Sequence, residues 1–356
     1  MKYSDTGKLY GKYVHPLGIL FNKSNIEVRK KTLKKLPFFK KIKTNAEILE
    51  IGGSGQDAVA FAELGFNTTF IDLSEQNIKK TKGYKLKSKN KIKLICNDFL
   101  KQKFYKKYDV IRARGVIHHI NEPDKVLKKI NTLLKINGFL HFNVYRSGSF
   151  YYWFVEHLRK ISKLFEIKKF YKILMDFKIT KYENNQIGNK TIKAKSDFKN
   201  IILDDLFVPI CNPGNYNEIK NDLKSLNFKI FNQKKKIINL NHSLIYPDFP
   251  GKKNHLVFDC QKKNNSFKNN LNYKIEIDRE LKLTKKKKEI NSSNNLFKKF
   301  IFFTRKKKLN KNPKFIYEII RLYKDCYLLS VSKKKSESRH EILQKKILKI
   351  IDKFDD

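Results

Sequence analysis

The run ILEIGGSGQDAVAFAELG, residues 48–65, joins an apolar strand signal, a glycine turn and the start of a helix with no spacer between them. Such a junction opens a βαβ unit, because glycine lets the backbone turn tightly where a strand feeds directly into a helix. From Ala46 to Tyr145 the chain then alternates β-branched runs with helical periodicity: EILEIG, TTFIDL, IKLICND, YDVIRAR and GFLHFNVY are the strand signals. Between the last two, Pro123–Leu134 sets Val126, Leu127, Ile130, Leu133 and Leu134 on one helical face, with Pro123 at a favoured early position and Gly138 beyond the end. The alternation predicts an α/β chain with a parallel sheet. Two later runs, NFKIFNQ and HLVFDC, are candidates for a closing antiparallel pair.

The chemistry gathers at the ends of these strands. The glycines after EILEI admit a ligand close to the backbone, and the following helix offers free N–H groups. FIDLS ends the second strand in Asp72, where a carboxylate can accept hydrogen bonds from ribose hydroxyls. CNDFL ends the third, putting Asp98 and Phe99 where an adenine amino group and ring would lie. Three strand ends therefore converge on one nucleoside. For each carboxylate a plain structural use competes: Asp72 with Ser74 reads equally as a helix cap, and Asp98 as a loop acid.

Taken together, ILEIGGSGQD, FIDLSEQNI, NDFL and YDVIRARGVIHHINEPDKVLKKINTLLKINGFLHFNVY resemble the class I S-adenosylmethionine-dependent methyltransferases over about residues 45–260. The resemblance implies a Rossmann-like, seven-stranded, mostly parallel sheet with S-adenosyl-L-methionine as cofactor. It implies Glu50 near the cofactor's methionine portion, Gly52, Gly53 and Gly55 as the turn beneath it, Asp72 on the ribose, and Asp98 with Phe99 on the adenine. The family usually shows three alternating glycines after the acid, whereas this chain reads E-I-G-G-S-G. An NAD or FAD site would need a second mononucleotide half, which the later chain does not offer. The base-amino methylation motif, Asn/Asp-Pro-Pro-aromatic, is replaced by RARGVIHH, which also lacks the cysteine that C5 methylation of cytosine requires. The expected acceptor is a hydroxyl or amine of a small molecule, glycan or lipid. Methyl transfer is an in-line displacement governed by alignment and a dry site. His118 and His119 are candidates to take a hydroxyl's proton, against the plainer reading that one packs and the other bonds a carbonyl.

Composition tempers one alternative. The formal charge is +45, which invites an RNA-binding reading, but 70 of the 79 basic residues are lysine, and phosphate recognition favours the bidentate arginine fork. The abundance of Lys with Asn and Ile is also what an AT-rich coding bias produces. RNA methylation through a basic tail is thus the runner-up, and an idle cofactor-fold scaffold the third reading. The organisation expected is a lead-in over 1–45 with a helix at Ile26–Leu36, a methyltransferase domain over 46–260 with a helical cap at 147–203, and a Lys-rich helical extension over 261–356. In that extension Glu341–Phe354 reads as an amphipathic helix. The four cysteines have no metal-ligand spacing, and no secretory or membrane-spanning signal is present in the sequence, so a cytoplasmic location and no metal are expected.

Overall fold

A computed structural model describes residues 22–88, 91–145, 186–187, 190–191, 208–231, 255–264, 312–331 and 336–354, with a few single positions such as Arg159 and Phe300. In chain order the elements are α1 (Lys23–Leu33), β1 (Glu47–Ile51), α2 (Gln56–Glu63), β2 (Asn67–Asp72), α3 (Glu75–Lys82), β3 (Ile92–Cys96), β4 (Tyr108–Arg114), α4 (Pro123–Leu133) and β5 (Leu134–Tyr145). They continue with β6 (Gln186–Ile187), β7 (Lys190–Thr191), α5 (Tyr216–Ser225), β8 (Phe228–Ile230), β9 (His255–Lys262), α6 (Pro313–Val331) and α7 (Ser336–Phe354).

Residues 1–145, 208–235 and 255–277 group into one compact unit. Its sheet has seven strands in the order β3-β2-β1-β4-β5-β9-β8. The first five strands run parallel, and β9 pairs antiparallel with both β5 and β8. This is the Rossmann-like sheet expected from the sequence, closed by the pair predicted from NFKIFNQ and HLVFDC. Helices cover both faces, since a parallel strand has two apolar faces to bury. On one face Ile48, Val110 and Phe139 pack with Ile26 and Leu33 of α1 and Val59 and Ala60 of α2. On the other, Leu49, Ile111, Leu140 and Phe142 pack with Val126, Leu127 and Ile130 of α4 and Ile219 and Leu223 of α5. Each of these buried Val, Leu, Ile and Phe side chains contributes about 1.5–3 kcal/mol.

The boundaries differ in places from the sequence reading. The lead-in helix runs Lys23–Leu33 and not Ile26–Leu36, because the Asn22 side chain accepts from Asn25 N and caps it early. Strand β5 starts at Leu134, straight out of α4, with a register irregularity opposite Tyr108 and Val110 and with Asn137 at φ +62°. The predicted helical cap at 147–203 lies almost wholly outside the described residues; within it Gln186–Ile187 and Lys190–Thr191 form a short antiparallel ladder.

Residues 146–207, 236–254 and 278–356 group into a second unit. Its helices α6 and α7 bury Phe315, Ile316, Ile319 and Ile320 from one and Leu343, Ile347 and Ile350 from the other. Lys353 pairs with Glu318 at 2.8 Å, and Lys346 pairs with Asp325. Among the described residues no helix is long and apolar enough to cross a membrane.

Candidate active site

Because β1 to β4 are parallel neighbours, their carboxyl ends share one edge, and the loops that leave them are the site. After β1 the chain turns on Gly52, Gly53 and Gly55, at φ +65°, +85° and +78°. The sequence reason is steric. A Cβ on Gly55 would stand 2.0 Å from Thr81 Oγ1, and one on Gly52 would stand 2.6 Å from Val116 Cγ2. Gly52 N donates to Ile71 O at 2.7 Å, and Asn77 Nδ2 of α3 donates to Gly53 O at 2.9 Å, so the turn is strapped to β2 and α3.

Asp72 ends β2, half-buried, and its Oδ1 accepts from Ser74 N at 2.6 Å. Burial pushes its carboxyl up to about 7, against the Ser74 and Asn77 hydrogen bonds that pull it down. The Ser74 hydroxyl meanwhile caps α3 by accepting from Asn77 N at 3.3 Å. Asp98 lies on the neighbouring loop, where Asn97 N donates to Asp72 O at 3.1 Å. Its Oδ1 accepts from Leu100 N at 2.8 Å. Phe99 points the other way: its ring is inside the core, 5.8 Å from Phe104, with the Lys129 ammonium 5.2 Å from its centroid. Lys129 also donates to Leu100 O and Gln102 O at 2.8 and 2.7 Å, which pins the loop that carries Asp98.

A row of buried polar residues crosses the sheet in register. Glu50 on β1 faces Arg112 on β4, Arg112 faces His141 on β5, and His141 faces Asp259 on β9. All four are between 2% and 7% exposed. Arg112 Nη1 donates to Glu50 Oε1 at 2.9 Å and to Asp57 Oδ2 of α2 at 2.7 Å. Arg29 of α1 and Arg114 approach Asp57 at 3.8 and 3.7 Å, and Arg29 Nε donates to Gln56 Oε1 at 3.3 Å. His141 Nδ1 lies 2.7 Å from Asp259 Oδ1. Burial raises the Glu50 carboxyl well above its ordinary value although Arg112 pulls it down. Burial also favours the neutral acid at Asp57, yet Arg112, Arg29 and Arg114 together hold it well below the carboxylate range. Burial keeps the His141 imidazole below its ordinary value, with Asp259 opposing. Arg112, Asp57, His141 and Asp259 were not among the residues expected from sequence. The available signal was a charge of opposite sign interrupting each of two apolar strands, EILEI and YDVIRAR, since buried charges demand partners.

After β4, Gly115 N donates to Asn143 Oδ1 at 2.8 Å and the chain enters a short 3-10 turn, Ile117–His119. Both histidines are buried. The ring of His118 lies tilted against those of His119 and Tyr145, each 4.1 Å away between centroids. His119 Nδ1 lies 2.8 Å from Ile210 O. A carbonyl only accepts, so Nδ1 carries the proton and Nε2 is the basic nitrogen of the neutral ring. Asn212 binds the same turn twice, its N donating to His118 O at 2.6 Å and its Nδ2 to Ile120 O at 3.0 Å. The sequence-predicted residues Glu50, Gly52, Gly53, Gly55, Asp72 and Asp98 thus stand on adjoining loops of one sheet edge, with His118 and His119 on the loop after β4; Phe99 alone is turned into the core.

The residues present fit an adenosyl amino acid. Glu50 Oε2 is buried with no hydrogen-bond partner among the described residues, an acceptor that a cationic amino group would satisfy. Beside Gly53 a Cβ would meet nothing within 4 Å, so the turn leaves its backbone open to a ligand there. Fold and site together have the layout that the sequence resemblance to the class I S-adenosylmethionine-dependent methyltransferases implies. The family described as methyltransferase domain matches residues 49–140, which contain the end of β1, all of β2 to β4 and every expected site residue. The Ubiquinone biosynthesis O-methyltransferase of Pelagibacter ubique (strain HTCC1062) is 36% identical over 99 residues, covering 27% of this chain and 40% of that protein. The protein of the same name from Rickettsia canadensis (strain McKiel) is 32% identical over 93 residues, 26% of this chain and 39% of that one. The chain therefore spans about two fifths of the length of the curated relatives it matches. Among solved structures, PKMT2 from Rickettsia typhi in complex with AdoHcy aligns with a TM-score of 0.40 at 20% identity, over 67% of this chain and 52% of that one.

Proposed function

We propose that the chain is an S-adenosylmethionine-dependent methyltransferase acting on a hydroxyl of a small molecule, a phenolic one in the first instance. The observation that carries the reading is the shared edge on which the glycine turn, Glu50, Asp72 and Asp98 meet. Glu50 would take the ammonium of the cofactor, Asp72 the ribose hydroxyls, and the loop at Asp98 the adenine. When bound, S-adenosylmethionine supplies an electrophilic methyl group on a sulfonium. The chain's own residues do the rest. Asn212 and Ile210 hold the His118–His119 turn, and the Nδ1–H bond to Ile210 O directs His119 to use Nε2 for accepting a proton. The names of the two curated relatives favour a hydroxyl over an amine, and RARGVIHH lacks the features expected for base methylation.

The test is calorimetric titration with S-adenosylhomocysteine, followed by transfer of labelled methyl from S-adenosylmethionine to catechol-type phenols and to total RNA in parallel. Binding with label appearing on the phenol is expected. Label on RNA alone would move the acceptor to nucleic acid, and absence of nucleoside binding would leave the scaffold reading.

A further inference from the structure

The site as proposed uses only one end of the buried row. Among the described residues Glu50 is held by one hydrogen bond, from Arg112 Nη1 to Oε1, and that same nitrogen is anchored on its other side by Asp57 at 2.7 Å. Asp57 is in turn the meeting point of Arg29 and Arg114, so α1, α2 and β4 all contribute to where Arg112 stands. Beyond it, the His141–Asp259 pair continues the row, so the guanidinium is flanked by polar groups in the sheet and cannot retreat into an apolar wall. The second oxygen of Glu50 is the buried acceptor left over.

We propose that Arg112 is a positioning residue for the amino-acid half of the cofactor: by holding Glu50 through Oε1 alone, it reserves Oε2 for the ligand's ammonium. The proposal rests on the methyltransferase reading above and deepens it. A purely structural ion pair would satisfy both oxygens, because an arginine fork can meet a carboxylate bidentately. Here the one nitrogen Nη1 meets both Glu50 and Asp57, and the second Glu50 oxygen stays unspent. Burial disfavours the Glu50 charge, and the Arg112 guanidinium beside it opposes that penalty.

The experiment compares two ligands on the full chain by calorimetry. S-adenosylhomocysteine carries the amino-acid portion; 5′-methylthioadenosine has the same nucleoside and thioether but lacks it. In the wild type the first should bind more tightly. Failure of both to bind would overturn the methyltransferase reading and this proposal with it; binding by the wild type leaves the proposal to be judged on the variants. Arg112→Met should weaken S-adenosylhomocysteine by about 10- to 100-fold, the range for a hydrogen bond to a charged group, while leaving 5′-methylthioadenosine within about threefold. Glu50→Gln should show the same selective loss, and the double variant should lose no more than either single one, because the two residues act as a unit. Equal weakening of both ligands, no weakening, or additive losses would overturn the proposal. Should Arg112→Met not fold, Arg112→Lys keeps the cation but not the fork, and is expected to show the same ligand-selective loss at smaller size; equal effects on the two ligands would overturn it there too.

Discussion

Asp72 and His119 show what single side chains cost and do. Asp72 keeps its ionisation suppressed to about 7 through burial, so the folded protein holds a proton there that the unfolded chain releases near its ordinary value. The sign follows: the raised folded value gives stability that is complete at acid pH and lost as pH rises towards 7. Asp72→Asn retains an oxygen for Ser74 N but removes the charge. Relative to wild type, the ligand-free variant should therefore gain melting temperature between pH 5 and pH 8. It should also bind S-adenosylhomocysteine about 10- to 100-fold more weakly, having lost a charged acceptor for ribose. A difference in melting temperature that stays flat across that pH range would contradict the burial argument. His119→Asn is the corresponding probe after β4. An amide N–H can replace Nδ1–H towards Ile210 O, but no basic nitrogen remains. Single-turnover methyl transfer to a phenol should fall by about 10² to 10⁴, with S-adenosylhomocysteine affinity and melting temperature nearly kept. A lower melting temperature with the rate per folded molecule intact would assign His119 to packing.

Elements explain why neighbouring glycines are unequal. Gly53 and Gly55 both adopt positive φ, but a Cβ at Gly53 meets nothing within 4 Å whereas one at Gly55 enters the Thr81 hydroxyl. Gly53→Ala should cost only the conformational penalty, about 1 kcal/mol, while Gly55→Ala adds a clash at the junction of α2 and α3 and should cost about 1–3 kcal/mol more, read as melting temperature. Equal losses would show that φ, not the approach of α3, governs the turn. This unit of strand, turn and helix was the most legible part of the sequence, because its glycines, its apolar run and the Ser74 cap are all local signals. The later strands were legible for the same reason, as β-branched runs between breakers. The row Glu50–Arg112–His141–Asp259 was not. Its members come from four strands, 62 residues apart at Glu50–Arg112 and 118 at His141–Asp259, and they align only through strand order and a register that shifts between Tyr108 and Val110. Phe99 was misleading for a related reason: its place beside Asp98 is visible in sequence, but alternation around a strand end does not reveal which side of the loop is core. The ring went to Phe104 and Lys129.

At the scale of the whole molecule, the issue is whether the nucleoside site needs the basic C-terminal residues. The first unit closes its own sheet: β9 is paired on both edges, and the Lys262 ammonium at its end is buried, donating to Asn131 O at 2.6 Å and to Leu134 O at 3.2 Å. Residues 278–356 belong to the second unit, and α6 and α7 bury apolar residues of their own. That region carries 24 Lys plus Arg against 10 Asp plus Glu, so most of the chain's +45 lies outside it. Two outcomes separate on these facts. If the charge excess is spread by coding bias, a chain ending at residue 277 should bind S-adenosylhomocysteine within about threefold of the full chain, and it should leave a heparin column at only slightly lower salt, since net charge governs non-specific polyanion binding. If the C-terminal helices form a dedicated nucleic-acid grip, heparin retention should collapse while nucleoside binding stays. Loss of S-adenosylhomocysteine binding in a soluble, folded truncation would refute the independence of the first unit, whose sheet edge is closed by the β9–β8 pair.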